Sequence, residues 1–205
     1  MTDTAKSVEA SGAGIWVVAE HIEGDVSEAS LELLCEARKL SSKLGPVWAL
    51  LFGHSVHELA PKLGQYGADR VLVCDAERLA GTPSRIISPH VGELIRAHRP
   101  RAVLLPATSF GSELAALVAA RVSSPLVTNA VRLSVDEGGQ VLVTKPNYGA
   151  RVHRTFVAKA GTTQLVTIRP GTIGLDRPDK FRRYEVIDVP YDEPAQALAA
   201  ARVLE

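Results

Sequence analysis

Cysteine is nearly absent from this sequence of 205 residues: Cys35 and Cys74 stand singly in apolar stretches, without the close spacing of a zinc or redox pair. Two buried thiols in a reducing compartment are the expected reading. An excess of either charge sign is also missing. Twenty-three basic residues face twenty-three acidic ones, so the electrostatic footprint of a nucleic-acid or anionic-membrane binder is not there. No apolar run approaches the ~18 residues of a membrane span. Residues 1–13 are small and polar, lack the apolar centre of a signal peptide, and read as a disordered lead-in. A cytoplasmic protein with no nucleic-acid partner and no membrane insertion is the expectation. What remains is ordinary globular material: 21.9 kDa, 46% hydrophobic, 22% charged, mean hydropathy +0.07. A chain of this size buries about 70% of the surface its unfolded form exposes, so it needs no disulfide or metal to fold.

Four short apolar runs, residues 15–20, 47–52, 71–75 and 102–106, alternate with helical patterns. Each is almost continuous in Val, Leu, Ile or Trp, as strands covered on both faces are, and parallel strands in the middle of one sheet follow. Between the first two, Leu33, Ala37, Leu40 and Leu44 recur at helical spacing, with Ser27 as N-cap and Gly45 past the end. Ser55 and Glu58 have the spacing of a capping box, but Pro61 lies too deep for an unbroken helix. A short turn and then a helix near Pro61 is expected. The third crossover helix, 84–98, ends before Pro100; the fourth carries Leu114, Leu117, Val118 and Val122 on one face and stops before Pro125.

The period then shortens. Val131, Leu133 and Val135 alternate with polar residues, residues 136–140 supply a Gly-Gly turn, and Val141 and Val143 alternate again, which predicts a β-hairpin. Two more extended segments follow at 152–158 and 164–168. The fold class is therefore α/β: a Rossmann-like three-layer domain with a mainly parallel sheet and an antiparallel ribbon appended to it. A ribbon outside the covered sheet presents unpaired backbone groups, and pairing with another chain is the economical way to satisfy them. Residues 171–184 are rich in Gly, Pro and charge, 184–189 suit a short strand, and Pro194 opens an alanine-rich helix. A linker toward another domain and a tail docked on the same core both fit that composition.

Ligands of open parallel sheets collect at the carboxyl ends of the strands, where loops enter helix N-termini. The loop 20–27 holds His21, Glu23 and Asp25, whose acidity disfavours phosphate; His54 and His57 would need ligands from elsewhere to hold a metal. The loop Pro106-Ala107-Thr108-Ser109-Phe110-Gly111-Ser112 is the best small-ligand candidate. Backbone N–H groups at Thr108, Ser109, Gly111 and Ser112 would face a phosphate or carboxylate, although the same composition serves simple helix capping. Gly12 and Gly14 precede the first strand, whereas a dinucleotide fingerprint must follow one, and neither a Walker loop nor a nucleophile elbow occurs. His153, between Arg151 and Arg154 in a ribbon strand, suits a surface role. No residue can be named as nucleophile or general base.

Four ordered motifs point further: Ala19-Glu20-His21 through Glu32-Leu33-Leu34, Tyr66-Gly67-Ala68-Asp69-Arg70-Val71, Leu104-Leu105-Pro106-Ala107-Thr108-Ser109, and Thr167-Ile168-Arg169-Pro170-Gly171. Over residues 14–174 the chain resembles the N-terminal domain of the electron transfer flavoprotein alpha subunit. The resemblance implies a Rossmann-like domain that pairs with a beta subunit about a pseudo-twofold axis to form a base for an FAD-binding domain. Electrons then pass from dehydrogenases to a quinone reductase, or are split between acceptors in bifurcating members. It divides the chain into a lead-in (1–13), the α/β domain (14–174), and a linker with terminal helix (175–205), the start of an FAD domain or a docking tail. By that resemblance FAD belongs to a partner domain or chain, and these residues alone do not catalyse.

The sequence departs from the family pattern at Ser112 and Glu113, where Arg and an acid are usual after Gly111. It departs again at Asn129 in place of Asp, and at Lys145-Pro146-Asn147-Tyr148-Gly149-Ala150 in place of Arg-Pro and Tyr-Gly-Gly. The expected function is a non-catalytic scaffold pairing through the 126–169 ribbon with a beta-like subunit. The alternative is a stand-alone module for AMP or a similar adenine nucleotide, held at Thr108 to Ser112 by a homodimer.

Overall fold

The computed structural model describes residues 14–81 and 84–191. Its centre is a seven-stranded sheet in which every neighbouring pair is parallel. The strands are β1 (Ile15–Ala19), β4 (Val47–Gly53), β5 (Arg70–Asp75), β6 (Ala102–Pro106), β7 (Leu126–Ala130), β11 (Gln164–Ile168) and β12 (Glu185–Asp188), in the spatial order β12-β5-β4-β1-β6-β11-β7. A two-stranded hairpin, β2 (His21–Ile22) with β3 (Asp25–Val26), follows β1. All residues of β1, β4, β6 and β11 are buried, as their unbroken apolar runs require.

Alternate residues feed two cores. Ile15 and Val17 face α1 (Glu28–Leu44) and α2 (Ala60–Gln65), while Trp16 and Val18 face α3 (Ser84–His98) and α4 (Ser109–Val122). Ser27 caps α1 as the sequence predicts, accepting the Ser30 N–H at 3.3 Å. Helix α3 runs through Pro89, whose ring nitrogen cannot donate to Arg85; the Ser88 hydroxyl donates to that carbonyl instead, at 3.3 Å.

Two expectations are corrected. The Ser55–Glu58 capping box does not form. Ser55 lies at φ 55; the short turn and the helix near Pro61 do form as expected, as a 3₁₀ turn (His57–Leu59) followed by α2 with Pro61 in its first turn. The carboxylate of Asp75, at the end of the neighbouring strand β5, accepts the N–H groups of Ser55, Val56 and His57 at 2.8, 2.8 and 3.1 Å. A negative group fixed by the sheet meets three orphan donors at once, which a local serine cannot do. Burial pushes the Asp75 carboxyl up, yet the three donors outweigh it and leave the group below its ordinary value.

The second correction concerns the ribbon. The antiparallel part is a three-stranded sheet of β8 (Arg132–Val135), β9 (Val141–Asn147) and β10 (Val152–Val157), in the order β10-β9-β8. The flanking segments of the 126–169 stretch, β7 and β11, belong to the parallel sheet. β11 reads Gln-Leu-Val-Thr-Ile, apolar on both faces, and inserts between β6 and β7. Leu133, Val141 and Val143 pin the small sheet to the α1 side of the core.

The parallel sheet also extends beyond residue 174. β12 pairs with β5 in register from Glu185↔Arg70 to Asp188↔Val73. The segment before it is tied down by Asp179 N–H donating to Gln65 O at 2.9 Å and by Arg182 Nη2 on Asp69 Oδ1 at 2.5 Å. The predicted helix from Pro194, like the lead-in, lies outside the described residues.

Candidate functional site

The strand order reverses at β1, where β4 leaves on one side and β6 on the other. The carboxyl ends of β1 and β6 therefore flank the topological switch point, the place where open α/β sheets receive ligands. A cleft of about 260 Å³ opens there between Glu20, His21, Phe52, Leu79, Ile87 and Phe110. Its walls are apolar with two phenyl rings, and its polar side chains are Glu20 and His21. A wider cleft of about 340 Å³ lies at the opposite, amino-terminal end of β6 and β11, lined by Arg99, Arg101, Lys159 and turn residues. Neither the switch point nor a helix N-terminus opens into that second cleft, so the first is the better candidate for a small ligand.

The predicted loop residues are next to the switch-point cleft, but two of the four N–H donors, those of Gly111 and Ser112, are engaged in holding the helix. The Gly111 N–H donates to Thr108 Oγ1 at 3.0 Å, making Thr108 the N-cap of α4. The Ser112 N–H donates to Thr108 O at 3.0 Å, and the Ala107 N–H to Ile168 O at 2.7 Å. Gly111 has its own structural reason: a Cβ there would lie 2.0 Å from Pro106 O, so only glycine lets α4 press this closely on β6.

Glu20 sits on the same rim. Burial pushes its carboxyl above the ordinary range, with the Thr108 hydroxyl and His21 pulling it back. Its Oε2 is buried with no hydrogen-bond partner. A carboxyl group beside a helix N-terminus occupies the positive end of the dipole and opposes a second anion. His21 Nε2 lies 3.1 Å from Phe52 O, which fixes the ring across the end of β4. Sequence reasoning placed Glu20 and His21 in an acidic loop and passed over Phe52 and Phe110. The available signal was that an acid directly following a fully apolar strand, in a chain whose fourth strand returns beside the first, must end at the switch point.

The remaining sequence candidates separate. Asp25 pairs with Lys62 Nζ at 2.6 Å on the surface, and His57 Nε2 lies 3.2 Å from Asp188 Oδ1, away from His54. His153 is exposed on β10. At the corner where the sequence departs from the pattern of the family it resembles, Asn129 adopts φ 59, accepts Arg169 Nε at 3.2 Å through Oδ1, and donates its N–H to Thr167 Oγ1 at 2.9 Å. Lys145 Nζ donates to Thr128 Oγ1 at 2.9 Å.

A doubly wound parallel sheet with a switch-point crevice and an antiparallel flap defines the class: an open α/β domain of Rossmann-like layout. Within that class the electron transfer flavoprotein domain matches residues 15–194, and the chain belongs to that family. The electron transfer flavoprotein subunit alpha of Thermoanaerobacterium thermosaccharolyticum is 34% identical over 174 residues, covering 84% of this chain and 53% of that protein. Its counterpart in Clostridium acetobutylicum is 33% identical over 160 residues, 77% of this chain and 48% of that protein. Subunit LctC of the lactate dehydrogenase (NAD(+),ferredoxin) of Acetobacterium woodii is 33% identical over 200 residues, 94% of this chain and 46% of that protein. The chain spans about half the length of the curated relatives it matches.

A flavin dinucleotide does not fit the switch-point cleft. The switch-point cleft, at about 260 Å³, is smaller than the roughly 300–1,000 Å³ of ordinary ligand pockets, and its rim sets a carboxyl group where a pyrophosphate would need donors.

Proposed function

We propose that this chain is the alpha-type half of an electron transfer flavoprotein-like pair. In this reading it is a non-catalytic scaffold that docks on a beta-like subunit through the small antiparallel sheet, while FAD is held outside the residues described. One observation supports it most. All six residues of β10 are exposed; Val152, Phe156 and Val157 display apolar surface along a strand paired on one side only, and Tyr148 (71% exposed) adds to it from the β9–β10 turn. An exposed edge with large apolar side chains invites another strand. Co-expression with a beta-like subunit followed by affinity capture tests the idea. A one-to-one complex is expected, and a chain that stays monomeric by light scattering at micromolar concentration beside that subunit refutes it.

The switch-point cleft favours a second reading, of an adenine-type ligand bound base first. Phe52 and Phe110 offer faces for a flat ring, and Glu20 suits an amino group better than a phosphate. Titration calorimetry decides it: adenosine should bind at least as well as AMP, and heat from AMP alone, or from neither, rejects it.

A further inference from the structure

The chain is neutral as a whole, yet its charges are segregated. From Glu137 to Asp176 no carboxylate intervenes, while Lys145, Arg151, Arg154, Lys159 and Arg169 accumulate together with His153. Three of these cations, with the histidine, lie on or beside the exposed strand β10. In register, Arg154 stands directly opposite Lys145 of β9, a like-charge pair that costs stability in an antiparallel sheet. Relief inside the chain is partial: Arg154 lies over the Tyr148 ring at 5.8 Å, and Lys145 reaches a hydroxyl. Among the described residues, the ion pairs are made by Arg38, Lys39, His57, Lys62, Arg70 and Arg182, none of them on this sheet. Asp136 and Glu137 sit at the β8–β9 turn beside Lys43 and Arg101, away from the β10 edge. Beyond the end of β10 lies the cleft lined by Arg99, Arg101 and Lys159, where Asp136 and Glu137 stand near Arg101.

A second copy of this chain would be a poor occupant of that edge. Antiparallel self-pairing sets two β10 strands about 4.8 Å apart and brings both sets of Arg151, His153 and Arg154 together. We infer that the strand completing the small sheet is an acidic β-strand of a different chain. Its main chain pairs with the open edge of Val152–Val157, its carboxylates meet Arg151 and Arg154, and apolar residues between them cover Val152 and Phe156. This inference rests on the reading of the small sheet as the docking surface and adds the chemistry of the partner.

The test uses the full chain and short blocked peptides that alternate threonine with glutamate, glutamine or lysine. Binding is followed by fluorescence anisotropy, and amide hydrogen exchange is read across Val152–Val157. The glutamate peptide is expected to slow exchange in β10 and to bind about tenfold more tightly than the glutamine peptide. That advantage should shrink as salt rises from ~50 to ~500 mM. The lysine peptide should not bind, and the double variant Arg151→Glu/Arg154→Glu should reverse the order of the glutamate and lysine peptides. Equal protection by the glutamate and glutamine peptides would overturn the acidic partner while leaving the docking edge intact. No protection by any peptide would overturn both. Exchange that slows with protein concentration alone would show that a second copy takes the edge.

Discussion

Substituting Gly64 by alanine should destabilise the protein, although an alanine in a helix interior normally stabilises it by about 1 kcal/mol relative to glycine. Gly64 lies in α2 beneath the ring of Tyr184, and an added Cβ would stand 2.3, 2.4 and 2.8 Å from Cδ1, Cγ and Cε1 of that ring. Carbon atoms rest about 3.5–4.0 Å apart, so the ring must retreat by more than ~1 Å. Tyr184 is half-buried against the α1-side core and immediately precedes β12, so its retreat pulls on the pairing of Glu185–Asp188 with β5. Overpacking of this kind costs about 1–3 kcal/mol, and the propensity gain offsets part of it. A net loss of about 1–2 kcal/mol would lower Tm by about 2–8 °C for a chain of this length. Tyr184→Ala alone should also destabilise, but in that background Gly64→Ala should become stabilising, because nothing then opposes the better helix former. The assay is urea unfolding followed by the fluorescence of Trp16 and Trp48, which are both buried. A Gly64→Ala protein more stable than the parent, or the same sign of effect in both backgrounds, would show that the C-terminal strap does not press on α2 as described.

Three further outcomes are expected. His98 packs on both tryptophans, with ring centroids 5.9 and 5.3 Å away, and burial followed by the charge of Arg70 pushes its pKa below the ordinary value. The unfolded chain therefore binds this proton more readily, and stability should fall as pH drops below about 6.5; His98→Gln should flatten that part of the urea-midpoint profile, and an unchanged slope refutes it. Asn129→Asp should turn the Arg169 contact into an ion pair and raise stability by less than about 1 kcal/mol because the site is exposed. The gain should vanish in high salt, and thermal melts with and without salt measure it. Thr108→Ala removes the cap of α4 and should cost about 1 kcal/mol, whereas Thr108→Ser should cost little; equal losses in urea unfolding would deny the capping role.

The parallel core was legible because burial on both faces leaves an unmistakable pattern. The runs beginning at Ile15, Val47, Val71 and Ala102 are strands, and Ser27 and Thr108 sit at the helix starts they cap. Less legible was everything decided by distant partners. Asp75 caps a turn twenty residues earlier in the chain, a match no local spacing encodes. Gln164–Ile168 follows three antiparallel strands and shares their β-branched character, so period alone could not say that it returns to the parallel sheet between β6 and β7. Residues 184–189 read as a short strand and are one, but its place was hidden: an edge strand pairs on one side only, and nothing in its charged surroundings says that it lies beside β5 in the parallel sheet. At the switch point, hydroxyls and a glycine drew attention to Thr108, Ser109, Gly111 and Ser112. Glu20 changes what that loop can do, and only the return of β6 beside β1 brings them together.

The same limit governs charge. A net charge of zero constrains the field far from the molecule, but a partner at contact distance meets the local arrangement, because screening confines exposed charges to about 8 Å at physiological salt. Carboxylates of this chain are spent internally around the parallel sheet, where Asp69 takes Arg38 and Arg182, Asp25 takes Lys62, and Glu185 takes Arg70. The small sheet contributes no acid between Val141 and Val157, and among the described residues its cations make no ion pair. The strand that most needs a neighbour for its backbone is therefore also the one that most needs a countercharge. One acidic strand from another chain supplies both, whereas a short tail or loop would satisfy the charge and leave the N–H and C=O groups of β10 to water.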